Sequence, residues 1–387
     1  MSCFFCYPTI SFFSCFPTGK TRLLGIPTVV DRRLQQAVSQ VLTPKFEYDF
    51  HENSYGFRPY KNARAAVGKA LRHIHEGYSH IVVIDLETFF DEVDHCLLLN
   101  LIYCKVKCAV TLRLIRKWAA ITDTNQRQAY KTKKRHTQGS PLGPLLSNIL
   151  LNELDKRIGR RKLKFIRYAD DFSIYCKRAS DAKLASKAIT KYLINRLKLK
   201  VNAAKSGIVK PIKFTLLGFT FASTYEKGVK GRYQLTVGEK ARTKLKGKFK
   251  EVTRKTQPKS LSERIVKINE ITRGWLNYFK GNSIVGNLRD IDGWLRNRLP
   301  YCIWMEWKKA ERKRKNLLRL GVDTEHAYAW SRTRKGGWRI AQSPILGTTI
   351  TIKRLKQKGY QPMLEIYKKL NPSICEPPYT RPVRTVV

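Results

Sequence analysis

Acidic residues are scarce in this sequence beside its basic ones. Its 387 residues carry 76 Lys and Arg against 29 Asp and Glu, a formal net charge of +47. Solubility needs nothing like that excess. A polyanionic partner accounts for it, because Lys and Arg neutralise phosphates and release their counterions. Long apolar runs are also missing. No stretch of about 18 or more uncharged apolar residues could span a bilayer, and the cations run through the whole chain rather than flanking one anchor, so no membrane partner is expected. A second CxxC pair is missing too. Nine cysteines are scattered, and Cys3-x-x-Cys6 stands alone, which argues against structural zinc. They read as thiols of a reducing, cytoplasmic compartment, with Cys104 and Cys108 sharing a helix face. The opening MSCFFCYPTISFFSCF (1–16) lacks both the positive n-region and the cleavage site of a secretory signal.

What is present is enough for two or three domains with real cores, since 42% of the residues are apolar. Asp31 to Leu42 places Leu34, Val38, Val41 and Leu42 on one face and predicts an amphipathic helix. Further helices are expected over 62–75, 145–158 and 182–197. His80 to Leu86 is a continuous apolar run that reads as a buried strand with Asp85 at its exit. Residues 165–176 read as strand, tight turn, strand. Strands alternating with helices predict an α+β or α/β domain to about residue 232. From Ala241 onward the chain carries 34 Lys and Arg against 11 Asp and Glu. Helices are expected there over 262–280 and 287–320, followed by a small basic appendix over 331–387.

The sharpest chemical feature is FIRYADDFSIY (165–175). Adjacent side chains on a strand point to opposite faces, so Asp170 and Asp171 approach one point only at a hairpin tip. Two like charges there are costly unless a cation offsets them. An exposed Asp-Asp turn is the bland reading. Asp85, at the exit of an apolar strand, supplies a third carboxylate for the functional one. Three carboxylates on a sheet can hold two Mg²⁺ ions about 3.5–4 Å apart for nucleotidyl transfer. Asp85 and Asp170 would be the principal ligands, with Asp171 closing the set.

At this point the sequence resembles a known family. Tyr168-Ala-Asp-Asp171 matches the reverse-transcriptase palm signature. GIPTVVDRRLQQAVSQVLTP (25–44), HENSYGFRPYKNARAAV (51–67), VVIDLETFFDEVDH (82–95), TQGSPLGPLLSNILLNELD (137–155), LKLKVNAAKS (197–206), LLGF (216–219) and ITRGWLNYFK (271–280) are similar, in order, to blocks of group II intron reverse transcriptase/maturases. The resemblance implies an α+β right-hand polymerase: fingers and palm over 19–232, a helical thumb or maturase domain over 233–330, and a basic DNA-binding D-like region over 331–387. It implies RNA-directed DNA synthesis with two Mg²⁺ at Asp85, Asp170, Asp171 and the Leu86 backbone carbonyl. It also implies nucleotide contacts from Arg22, Arg32, Phe89, Phe90, Gln138 and Lys205. Phe89 or Phe90 would exclude a 2′-hydroxyl, although both also read as core residues. Tyr168 and Gly218 would lie by the primer and template, Gly218 within a strand that the primer backbone passes closely.

For RNA binding the candidates are Lys244, Lys246, Lys248, Arg254, Lys255, Arg273, Arg312, Lys313 and Arg314. Trp275 and Phe279, one helical turn apart, read as core. The implied partners are group II intron RNA, target DNA and dNTPs, with a homodimer left open, in a bacterial cytoplasm. A retron-type enzyme, or a maturase whose polymerase is weakened, are the alternatives. Three departures stand out. The upstream helical extension is nearly absent, Phe16 stands where a triphosphate-binding Lys is expected, and QGSPLGP replaces the commoner QGGPLSP. With the anomalous apolar residues 1–18, these suggest a truncated chain with a frameshifted or misassigned start. A Cys-rich endonuclease domain is not expected, since only Cys375 lies in the tail.

Overall fold

A carboxylate at the end of a buried strand is only as well placed as the sheet that holds it. In the computed structural model, which describes residues 10–15, 21–87, 89, 93–120, 140–224, 232–254 and 256–371, the chain forms two compact units, 1–233 and 234–387. The first is α+β. β1 (Ile10–Cys15) and β2 (Thr21–Ile26) pair as an antiparallel hairpin. Two helices follow, α1 (Val29–Glu47) and α2 (Ala63–His75), then β3 (His80–Ile84). The helices α3 (His95–Tyr103), α4 (Ala109–Ala120) and α5 (Gly143–Arg160) precede β4 (Lys164–Tyr168) and β5 (Asp171–Cys176). Helix α6 (Ala179–Asn195) leads to β6 (Gly207–Val209), and a short hairpin, β7 (Thr215–Leu216) and β8 (Phe219–Ser223), follows.

The central sheet has the order β4-β5-β3-β6 and is antiparallel throughout. Its inner strands are apolar on both faces, as residues 81–84 and 172–176 require. Helix α5 covers it with Leu146, Leu150, Leu151, Leu154 and Ile158, all buried in one cluster with Phe165, Phe172 and Ile174.

The buried face of α1 differs from the one its apolar residues predict. Leu34 and Val41 are exposed, while Asp31, Gln35, Leu42 and Phe46 are buried. Long-range hydrogen bonds decide this. Trp118 Nε1 donates to Asp31 Oδ1 at 3.2 Å, and Ser140 Oγ donates to Gln35 Oε1 at 2.8 Å. Buried polar groups are tolerated when so partnered. Cys104 and Cys108 do not share a helix face either. Cys104 caps the C-terminus of α3 and Cys108 precedes α4.

The chain passes through β9 (Tyr233–Val237) into a helical second unit: α7 (Glu239–Val252), α8 (Leu261–Phe279), α9 (Val285–Glu306) and α10 (Ala310–Arg319). The helical stretch expected over 287–320 is therefore broken near Trp307. Ser260 and Glu263 form a capping box that starts α8. Buried Arg264 on that helix donates to the carbonyls of Val252, Arg254, Gln257 and Lys259, which orders the loop before it.

Residues 324–370 are also helical, as α11 (Thr324–Ser331), α12 (Gly337–Ala341), α13 (Pro344–Thr349), α14 (Ile352–Gln357) and α15 (Met363–Leu370). Pro362, at the start of α15, provides no side-chain cap. Asp292 of α9 provides one instead, accepting from the N–H groups of Met363 and Leu364, each at 2.9 Å. Burial raises the Asp292 carboxyl above its ordinary pKa, although these bonds pull it the other way. We expect Asp292→Ala to cost about 1–2 kcal/mol, the usual worth of a lost cap. Urea unfolding of the full chain, with hydrogen exchange localised to 363–370, measures it.

Candidate active site

Strand register decides which carboxylates meet. Ile84 pairs with Phe172 across β3 and β5. Continuing that ladder by one residue brings Asp85 opposite Asp171. On the other side of β5, Tyr168 pairs with Asp171, so Ala169 and Asp170 alone form the turn. Ala169 has φ +56°, which a two-residue hairpin requires when its turn must follow the strand twist. The turn thus lifts Asp170 into solvent beside Asp171.

The backbone around Asp85 is fully engaged. Its N–H donates to Ser206 Oγ at 3.0 Å, and its carbonyl accepts from Asn202 N–H at 2.9 Å. Leu86 bridges to Val201, but the bonds of that bridge belong to Asp85 and Glu87. The Leu86 carbonyl is therefore left out of the ladder. Lys205 Nζ lies 3.2 Å from Asp85 Oδ2. Desolvation, then the charges of Asp170 and Asp85, push the Asp171 carboxyl up to about 6, against the pull of Lys205. Asp171 is exposed to solvent, so water screens part of that effect.

Three like charges balanced by one ammonium make a site that lacks positive charge. Among the described residues, no three His, Cys, Asp or Glu side chains converge closely enough to ligate an ion as they stand. The donor chemistry still fits a hard divalent cation: three carboxylates at adjacent strand ends, with Asp171 destabilised in its charged form.

Beneath the tip lies a network that the sequence reading missed. Arg167 is 0% exposed. Its Nε and Nη2 donate to the Asp155 carboxylate at 2.6–2.9 Å. Its Nη1 donates to Asn148 Oδ1 at 2.8 Å and to the Ala169 carbonyl at 3.0 Å. Asn148 Nδ2 in turn donates to the Gly56 carbonyl at 2.9 Å. Gly56 presses on the tip itself, for a Cβ there would sit 2.2 Å from Ala169 N. Only glycine permits that approach. An Arg inside an otherwise apolar strand was the available signal.

The remaining sequence candidates fall as follows. Arg32 is exposed on α1 and Tyr168 is half-buried. Phe89 is 3% exposed, inside the core cluster. Gly218 does not lie within a strand. With Leu217 it forms the turn between β7 and β8, at φ +53° and +85°, as a tight hairpin demands. Lys244, Lys246, Lys248, Arg254, Arg273 and Arg312 are exposed, Arg273 donating to Gln361. Lys313 lies over the Trp304 ring at 4.5 Å, and Arg314 pairs with Glu311 at 3.3 Å. Phe279 is buried against a half-buried Trp275. Phe90, Gln138 and Lys255 lie outside the described residues, as does the side chain of Arg22. In the QGSPLGP departure, Ser140 is accounted for by its bond to Gln35.

Residues 14–221 match the family described as reverse transcriptase (RNA-dependent DNA polymerase). The chain belongs to that family. Residues 242–321 match the group II intron maturase-specific domain, so a reverse transcriptase is joined here to a maturase module. Reverse transcriptases are divalent-metal-dependent polymerases. The group II intron-encoded protein LtrA of Lactococcus lactis subsp. cremoris is 38% identical over 148 residues, covering 38% of this chain and 24% of LtrA. Protein YkfC of Escherichia coli K12 is 33% identical over 149 residues, covering 38% of this chain and 39% of that one. These matches span well under half the length of either relative. Apo telomerase from Candida tropicalis superposes with a TM-score of 0.46 at 12% identity, over 90% of this chain and 68% of that one. No helix among the described residues is long and apolar enough to cross a membrane.

The buried Arg167–Asp155 pair yields a prediction. Asp155→Asn or Arg167→Lys leaves a buried charge or acceptor without its fork, which costs about 3–5 kcal/mol in comparable pairs. Urea unfolding measures the loss. A change under about 1 kcal/mol would show that the pair does not hold the hairpin.

Proposed function

We propose that the chain is an RNA-directed DNA polymerase of a group II intron, copying RNA by two-metal nucleotidyl transfer and assisting intron splicing through its maturase module. The observation that carries this reading is the register that sets Asp85 beside Asp171 at a hairpin tip, with Asp170 in the turn. Asp85 and Asp170 would hold two Mg²⁺ ions, with Asp171 and the Leu86 carbonyl completing the set. When bound, such ions favour ionisation of the attacking 3′-hydroxyl and neutralise the pyrophosphate that leaves.

This chain's own residues do the rest. Lys205, already paired with Asp85, would move onto the triphosphate and hold a proton for the leaving pyrophosphate. Arg22, Arg32 and Gln138 would orient the incoming dNTP and the templating base. Phe89 is taken up by the core, which leaves exclusion of a 2′-hydroxyl to Phe90. Tyr168 and Gly218 would border the primer terminus. The exposed cations of α7, Lys244, Lys246 and Lys248, with Arg254, Lys255, Arg273 and the 312–314 cluster, would take intron RNA and target DNA. The charge of +47 suits such partners. Residues 19–232 would form the fingers and palm, 233–330 the thumb and 331–387 the DNA-binding region.

The test is primer extension on poly(rA)/oligo(dT) with Mg²⁺. The wild-type chain should extend the primer. Asp85→Asn and Asp170→Asn should each lower the rate by at least about a thousandfold, with RNA affinity unchanged. Splicing assistance that survives both substitutions, with no primer extension even from the wild type, would identify a maturase without polymerase activity.

A further inference from the structure

The segment 51–60, HENSYGFRPY, presses Gly56 against the catalytic hairpin, and two of its residues are conformationally expensive. Phe57 has φ +57° and Tyr60 has φ +61°. A bulky L-residue meets its own carbonyl in that region, so such residues are rare there. Both rings also face solvent, Phe57 at 60% exposure and Tyr60 at 103%. Neither the strain nor the exposure contributes to folding. Strain of this kind persists only where surrounding contacts over-determine the backbone, and it gathers at functional sites.

The surrounding contacts do over-determine it. Arg58, between the two rings, has a side chain 6% exposed. It donates to Glu47 Oε1 at 2.7 Å and to the carbonyls of His51 and Ser54 at 2.6 and 2.9 Å. Asn148 holds the Gly56 carbonyl on one side of Phe57. Beyond Tyr60, Asn62 caps α2 through the Ala65 N–H. The backbone is pinned before, between and after the two rings, and the rings are turned outward.

We propose that Phe57 and Tyr60 form a stacking platform for unpaired nucleotides of the RNA strand entering the polymerase site. The inference rests on the polymerase reading for its choice of strand. Two features select this occupant. The platform is continuous with the catalytic tip, because Phe57 follows the residue that touches Ala169. Its faces are aromatic in a chain of +47, the combination that binds single strands without sequence preference. A paired duplex shelters its base faces and offers the rings nothing to stack on.

The experiment uses the full chain and a short fluorescent single-stranded RNA, without dNTPs or Mg²⁺, followed by anisotropy. Phe57→Gly and Tyr60→Gly each remove a ring and relieve the positive φ. Each should weaken binding by about tenfold while the melting temperature holds or rises. Phe57→Trp should retain affinity and show fluorescence quenching when RNA binds. The salt dependence of binding should not change, since no phosphate contact is lost. An unchanged Kd in the double glycine variant overturns the proposal. So does an equal loss on blunt duplex RNA, or a drop in melting temperature that shows the rings to be packed. Failure of the polymerase reading would look different: no primer extension from the wild type, with ring-dependent binding of single-stranded RNA intact.

Discussion

A buried guanidinium holds together the end of the first unit that carries Asp170 and Asp171. Arg167 joins three pieces of chain: the hairpin tip at Ala169, helix α5 at Asn148 and Asp155, and, through Asn148, the segment at Gly56. Its own backbone bonds to Asn53 and Tyr55 complete the junction. A planar fork with several donors can serve several acceptors at once, which an ammonium cannot do. A charge this deeply buried tolerates little change in its partners. The position of Asp170 therefore depends on side chains that never reach a substrate.

Much of the centre was legible in the sequence, for a physical reason. Strand periodicity and tight-turn chemistry are local, so YADD between two apolar runs already implied a hairpin with its carboxylates at the tip. Apolar β3 ending in Asp85 was equally local. Strands β3, β4 and β5 and helices α1, α2, α5, α6 and α8 fall where those patterns put them, and the family match then agrees with the ordered blocks. What was not legible is what depends on distant partners. The buried side of α1 is set by Trp118 and Ser140, 87 and 105 residues from the groups they bond. Without them Leu34 and Val41 are the natural inward choices. Arg167 drew no notice because its side-chain partners Asp155 and Asn148 lie on another element.

The tail shows a different limit. Residues 331–387 read only as a small basic appendix with no helices assigned, yet short helices run through 324–370. Those helices are too short to be stable alone, and while Asp323 and Thr351 cap α11 and α14 locally, α15 takes its cap from elsewhere. Asp292 serves α15 in this way, and Asn269 holds the turn before it through Gly359 and Gln361. Local pattern carries no trace of a cap supplied from about 70 residues away.

The two-residue turn at Ala169–Asp170 also bears on how such a gene can change over time. Side chains along a strand alternate between faces with a period of two. One inserted or deleted codon between Tyr168 and Phe172 would send every later residue of β5 to the wrong side of the sheet and turn Asp171 away from Asp85. Single-base substitutions alter one side chain at a time and leave the ladder in place. In this stretch, drift is confined to replacements, while length variation is free to accumulate only in the loops that no ladder counts.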